Sequence, residues 1–291
     1  LKVLITGAGG QLGRDLIRVL AARHELHALT RGQLDVGDDT AVEAVVNRIS
    51  PDVIIHAAAY TNVDGAESEA EAVYRVNSVG TWHMAAAASR SGAKLVYVST
   101  DYVFDGAKGA PYTERDKPNP ISVYGTSKLH GEKFVSMLCE RHFIVRTSWL
   151  YGRSGSNFVT KIIEKARGAS PLQMAGDVFG SPTYSYDLAE LIGHLIETEH
   201  YGTYHGSNAG VCTRYQFASE IIDFLGIPDV RMEQVTAENF PLPAARPQHS
   251  ALADTVIHGI GVTPLRPWKE ALHHFLQADL PAIEEDAGDR Q

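Results

Sequence analysis

Leu1-Lys2-Val3-Leu4-Ile5-Thr6-Gly7-Ala8-Gly9-Gly10-Gln11-Leu12-Gly13 opens the chain, and its reading decides the fold. Residues 1–5 are a short apolar run rich in β-formers, the pattern of a strand buried on both faces. Gly7 to Gly13 follow as a turn, and Leu16, Val19 and Leu20 then recur at helical spacing in a helix expected over 15–23. Glycine lets the backbone bend sharply there and approach a pyrophosphate, whose charge meets the helix N-terminus. Any tight turn recruits glycine. The place between a strand and a helix is what points to a dinucleotide.

Working outward, apolar runs at 25–29, 52–56, 95–99 and 143–146 alternate with helical patterns at 40–49, 69–90 and 123–142. Strands joined through helices pair in parallel, so the expected fold is α/β, a doubly wound Rossmann-type sheet. Beyond Trp149 the pattern loosens into short helices (158–166, 186–196, 214–225, 268–277), brief strands and a Pro-rich connector at 240–247. This half reads as a smaller C-terminal lobe on the sheet's carboxyl edge, where open α/β folds place ligands. The expected division is 1–150 for NAD(P), with some later segments returning to it, 151–281 mainly for substrate, and 282–291 as an acidic, flexible tail.

Composition narrows the classes. With 44% hydrophobic and 21% charged residues the 291-residue chain has the makings of a packed core rather than of a disordered segment. A net charge of −9 argues against nucleic acid as partner. No apolar run is long enough to span a membrane, and residues 1–5 lead straight into the glycine turn instead of forming a signal peptide. An initiator Met is expected before Leu1. Cys139 and Cys212 stand far apart, so buried inert thiols in a reducing cytoplasm are expected. The 13 His show no zinc spacing.

The chemistry is written at the ends of two later elements. Ser99-Thr100 closes the fourth strand, and Tyr124-Gly125-Thr126-Ser127-Lys128 opens the following helix. Tyr and Lys four apart share a helix face, so their polar ends converge on one site. A free phenol, with a pKa of ~10, exchanges protons poorly at neutral pH, and a nearby ammonium is expected to lower that value. Thr100 can hold the substrate oxygen. Read alone, Tyr124 and Lys128 are compatible with ordinary surface side chains; combined with Thr100 and the glycine turn they resemble the catalytic set of short-chain dehydrogenases.

The Gly-x-x-Gly-x-x-Gly spacing of Gly7, Gly10 and Gly13 resembles the short-chain dehydrogenase version of the fingerprint. Residues 57–67 (AAAYTNVDGAE), 99–106 (STDYVFDG) and 146–152 (RTSWLYG) closely resemble dTDP-4-dehydrorhamnose reductases, as do 179–183 (FGSPT) and 246–250 (RPQHS). The resemblance runs from residue 1 to about 277. It implies an extended short-chain dehydrogenase that reduces the C4 ketone of dTDP-4-dehydro-β-L-rhamnose to dTDP-L-rhamnose.

By motif position, Gly7, Gly10, Gln11, Leu12, Gly13, Thr30, Asp35, Val36, Ala57, Ala58, Ala59, Tyr60, Thr61 and Val98 would touch the cofactor, together with Tyr124 and Lys128. Thr61, Val63, Thr100, Asp101, Tyr102, Tyr124 and Trp149 would line the sugar, and Arg246 would reach its pyrophosphate. Thr30-Arg31 stands where an acid would grip a ribose 2′-hydroxyl. Arg31 therefore tilts the expectation to NADPH over NADH, without excluding NADH. Some relatives dimerise around Mg²⁺; a homodimer is compatible with the sequence, but those ligands map to no residues here and no metal is assigned to the site.

Three rivals remain. A dehydratase of this superfamily carries Glu after Thr-Asp, where this chain has Tyr102. The substrate can be another nucleotide-linked 4-keto-6-deoxy sugar. The regulatory subunit of methionine adenosyltransferase is similar in sequence and binds NADP without catalysis; the complete Thr100, Tyr124 and Lys128 set favours an enzyme.

Overall fold

A computed structural model describes residues 1–168 and 171–283. Its centre is a six-stranded sheet of β1 (Lys2–Thr6), β2 (Glu25–Leu29), β3 (Val53–His56), β4 (Lys94–Thr100), β5 (His142–Thr147) and β6 (Gly202–His205). The order is β6-β5-β4-β3-β1-β2, and every pairing is parallel. The chain turns from β1 to β2 on one side and continues with β3 on the other, which opens a crevice at the carboxyl ends of β1 and β3.

Alternating side chains bind the sheet to helices on both faces. Val3, Ile5, Val53, Ile55, Val96, Phe143 and Val145 pack with Leu12, Leu16, Val19 and Leu20 of α1 (Gln11–Leu20). Their intervening neighbours Leu4, Ile54, Leu95 and Ile144 face Val42, Val45 and Val46 of α2 (Asp39–Ile49) and Met84, Ala85 and Ala88 of α3 (Thr81–Ser91). The next helix, α4 (Val123–Leu138), carries Tyr124 and Lys128 along the same side.

The later half is not separate from this core. After α5 (Phe158–Ala166), helix α6 (Ser185–Ile196) lies beside α1 and adds Leu188, Leu191, Ile192 and Leu195 to the first cluster. β6 then completes the sheet edge next to β5. A second core joins α5 to α7 (Arg214–Leu225) and α8 (Trp268–His274) around Tyr151, Tyr184, Phe217 and Phe275.

Several boundaries differ from the sequence reading. α1 starts at Gln11 instead of residue 15, because Gly10 is still extended (φ −78°, ψ 173°) and the helix begins directly at the glycine turn. The expected helix 69–90 is interrupted: Ala70–Tyr74 is α-helical, Arg75–Gly80 is a π turn, and α3 follows. The widened turn seats Gly80 against Val36, where a Cβ would lie 2.7 Å from the Val36 side chain. The helix expected to reach 142 stops at Leu138, since Cys139 is extended and His142 already pairs in β5. Of the expected flexible tail, 284–291 lies outside the described residues.

Candidate active site

At the carboxyl ends of β1, β3, β4 and β5 lies a cavity of about 760 Å³. One end is the glycine turn. Gly7 has φ +71°, and a Cβ there would lie 2.7 Å from the Ala58 amide nitrogen. A Cβ on Gly13 would lie 2.3 Å from the Gly7 carbonyl oxygen. Gly10 donates its amide to that same carbonyl at 3.0 Å, closing the turn. The first turn of α1 carries neither a side-chain cap nor an acidic residue, so its amides and dipole are free to meet an anion. Gln11 adds a buried, unpartnered Oε1. A backbone cradle of this kind fits a dinucleotide pyrophosphate.

Beyond the turn, the Asp35 carboxylate accepts from Arg75 Nη2 at 2.5 Å and from the Gly37 amide at 2.9 Å. These two bonds, the Arg75 one foremost, hold its pKa below the usual carboxylate value. Arg31 lines this end and is exposed. Thr30 does not line the cavity, contrary to expectation: its amide and hydroxyl both donate to Gln33 Oε1 at 2.9 Å.

The other end holds the expected Thr100, Tyr124 and Lys128. Thr100, the last residue of β4, donates its hydroxyl to Asp101 Oδ1 at 3.0 Å and accepts from the Tyr102 amide at 3.2 Å, beside the Tyr124 phenol. Burial pushes the Tyr124 phenol well above its ordinary pKa, with the Thr100 hydrogen bond opposing. Lys128 is buried; its ammonium donates to the Val98 carbonyl at 2.7 Å and sits 4.2 Å from the centre of the Tyr97 ring. Burial lowers Lys128 to about 7, opposed by Glu132. The expected effect of Lys128 on Tyr124 is therefore not what dominates. Desolvation does, and it keeps the phenol protonated.

Beside this pair, Asp101 is buried, has an unpartnered Oδ2, and is pushed up to about 6 by burial. The Tyr102 ring meets Tyr124 edge-on, with centroids 5.8 Å apart. Trp149 takes a left-handed backbone (φ +46°), rare for so bulky a residue, and Gly180 leaves room for its indole: a Cβ there would lie 2.3 Å from Trp149 Cε2.

Gly7, Gly10, Gln11, Leu12, Gly13, Arg31, Asp35, Val36, Ala57, Ala58, Ala59, Tyr60, Thr61, Val63, Val98, Thr100, Asp101, Tyr102, Tyr124, Lys128 and Trp149 all line this one cavity. Arg246 does not. Its guanidinium is bidentate to Asp64, at 2.9 and 2.8 Å, and also donates to the Ala244 carbonyl. That engagement, with Tyr102 as a further neighbour, goes with a place outside the cavity lining.

Sequence reasoning missed Arg75, Asn77, Glu132, Arg146 and Arg214. Asn77, on the π turn, accepts from the Tyr60 amide at 2.8 Å and donates to the Tyr60 carbonyl and to Ser127. It thus ties the cavity wall to α4. Glu132 stands one helical turn beyond Lys128, takes a bidentate pair from Arg146 at 2.9 and 2.7 Å, and accepts from Ser99 at 2.6 Å. The i,i+4 spacing of Lys128 and Glu132 was visible in the sequence; Arg146 and Arg214 had no local signal.

A doubly wound parallel sheet, with a glycine cradle at one end of its cavity and the Thr100–Tyr124–Lys128 group at the other, defines an extended short-chain dehydrogenase. The model of the RmlD substrate binding domain matches residues 1–280, and the chain belongs to that family. It is 40% identical to a Mycobacterium tuberculosis dTDP-4-dehydrorhamnose reductase, over 95% of this chain and 93% of the relative. It is also 40% identical to the spore coat polysaccharide biosynthesis protein SpsK of Bacillus subtilis, over 95% and 97%. Among solved structures, dTDP-4-dehydrorhamnose reductase from Bacillus anthracis in complex with NADP superposes with a TM-score of 0.92 at 42% identity, covering 94% of this chain and 98% of that one.

Proposed function

We propose that this chain reduces the C4 ketone of dTDP-4-dehydro-β-L-rhamnose to dTDP-L-rhamnose with NADPH or NADH. The observation that carries the reading is the convergence of Thr100, Tyr124 and Lys128 in the same cavity as the glycine cradle. In this reading residues 1–150 hold the dinucleotide, residues 151–281 mainly serve the sugar, and the reaction runs in the cytoplasm.

Bound at the cradle, the reduced dinucleotide supplies a hydride. The chain's own residues do the rest. Tyr124, kept protonated by burial, donates its hydroxyl proton to the C4 oxygen as negative charge develops there. Thr100 orients that oxygen. Lys128 binds the nicotinamide ribose and, once charged, stabilises the phenolate left behind. The Thr100-Asp101 pair is followed by Tyr102, with no carboxylate at that position to drive elimination, so plain reduction is the chemistry supported. Trp149 offers an aromatic surface suited to the apolar side of a 6-deoxy sugar.

The test supplies the keto-sugar made by a dehydratase and epimerase from dTDP-glucose, follows NAD(P)H absorbance, and identifies the product by NMR. Oxidation of cofactor with formation of dTDP-L-rhamnose is expected. A C4 epimer as product assigns a sister specificity. Bound cofactor with no oxidation refutes the enzyme and leaves the regulatory reading.

A further inference from the structure

Four cationic side chains line the cavity among the described residues: Arg31, Arg75, Lys128 and Arg214. The first two stand at the glycine-turn end, around Asp35. Lys128 is committed to the Val98 carbonyl beside the reacting group. Arg214 alone stands in the substrate half, and it has come from far away in sequence, at the first turn of α7.

Its surroundings are unusual for a guanidinium. The half-buried side chain lies flat on Trp149, with Cζ 3.5 Å from the ring centroid, and 5.0 Å from that of Phe158. Among the described residues its guanidinium makes no hydrogen bond or ion pair. Burial lowers it to about 10, with Tyr102 and Asp101 the groups that chiefly oppose this, so at neutral pH it stays charged. Its donors face the cavity and are available to an anion that enters it. The neighbouring Arg246 is the contrast: it is paired bidentately with Asp64 and also bonded to the Ala244 carbonyl.

We propose that Arg214, clamped on Trp149, is the residue that binds the diphosphate of the nucleotide-linked substrate. A planar fork matches phosphate oxygens in pairs, and the indole beneath fixes its plane. Arg214 stands near Asp101 and Tyr102 in the same cavity as Thr100 and Tyr124, and a sugar held at those two by its C4 oxygen carries its anomeric phosphate on the opposite side of the ring. The inference rests on the proposed reductase reading for its substrate, but not for its ligand class, a nucleoside diphosphate.

The experiment compares dTDP with thymidine as ligands of the NADPH-loaded protein and of its Arg214→Gln and Arg214→Lys variants. Both are followed by calorimetry and by inhibition of turnover. Arg214→Gln should weaken dTDP by about ten- to a hundredfold and leave thymidine and NADPH binding nearly unmoved, with the kinetic loss appearing in KM more than in kcat. Arg214→Lys keeps the charge and should recover part of the dTDP affinity. Equal weakening of dTDP and thymidine overturns the assignment, as does a folded glutamine variant with parental dTDP affinity, or a lysine variant no better than glutamine. Failure of the parent to reduce any keto-sugar would count against the proposed function alone, since the dTDP-to-thymidine comparison still decides the role of Arg214.

Discussion

Replacing Lys128 by Met should cripple the enzyme and stabilise the fold, and the stabilisation should depend on pH. Lys128 is 3% exposed, and its ammonium donates to the Val98 carbonyl and lies over the face of Tyr97. Burial brings its pKa from 10.5 down to about 7, so the folded state disfavours the charged form. At about 1.36 kcal/mol per tenfold change, that corresponds to roughly 5 kcal/mol for the isolated charge. The lost hydrogen bond and ring contact offset part of it, leaving a net gain for Lys128→Met of about 1–3 kcal/mol at pH 6. The sign follows from proton counting. Below pH 7 both folded and unfolded lysine are charged and the full cost is present; between about 7 and 10.5 only the unfolded lysine is charged, so the parent gains stability as pH rises. The variant lacks this gain. Urea unfolding of both proteins without cofactor, at pH 6, 7.5 and 9, measures the difference. A difference that stays flat from pH 6 to 9, or a variant weaker than the parent at pH 6, refutes the reasoning.

Tyr124→Phe removes the proton donor but keeps the ring, so turnover should fall by ~10²-fold or more while NADPH binding, read by fluorescence titration, persists. Glu132→Ala leaves Arg146 buried without its bidentate partner and should cost about 3–5 kcal/mol in the same urea assay. A loss under about 1 kcal/mol would show that water reaches the guanidinium. Arg31→Ala should lower the ratio of NADPH to NADH efficiencies by about five- to thirty-fold, measured as kcat/KM for each cofactor. An unchanged ratio transfers the choice of cofactor to Arg75 or to the backbone.

What the sequence determined by itself was local and periodic. The strand before Gly7 and the Gly7–Gly10–Gly13 spacing specified the cradle, because backbone sterics there are satisfied by the residues within the turn and by one neighbouring strand end. Alternation of apolar strands and helices specified the parallel sheet, and the spacing of Tyr124 and Lys128 placed both on one helix face. Nearly all of the residues assigned by motif position line the cavity.

What only the tertiary structure decided depends on partners distant in sequence. Arg214 reaches Trp149 from the first turn of α7, and Arg246 is paired with Asp64, 182 residues earlier in the chain, outside the cavity lining. Thr30 gives its hydroxyl to Gln33, and the π turn at Arg75–Gly80 brings Gly80 against Val36 and carries Asn77 to Tyr60. Protonation belongs to the same class. A Tyr-x-x-x-Lys motif suggests an ammonium that lowers a phenol, yet burial governs both groups, raising Tyr124 and lowering Lys128. Desolvation is set by everything packed around a side chain, and no spacing along the chain encodes it.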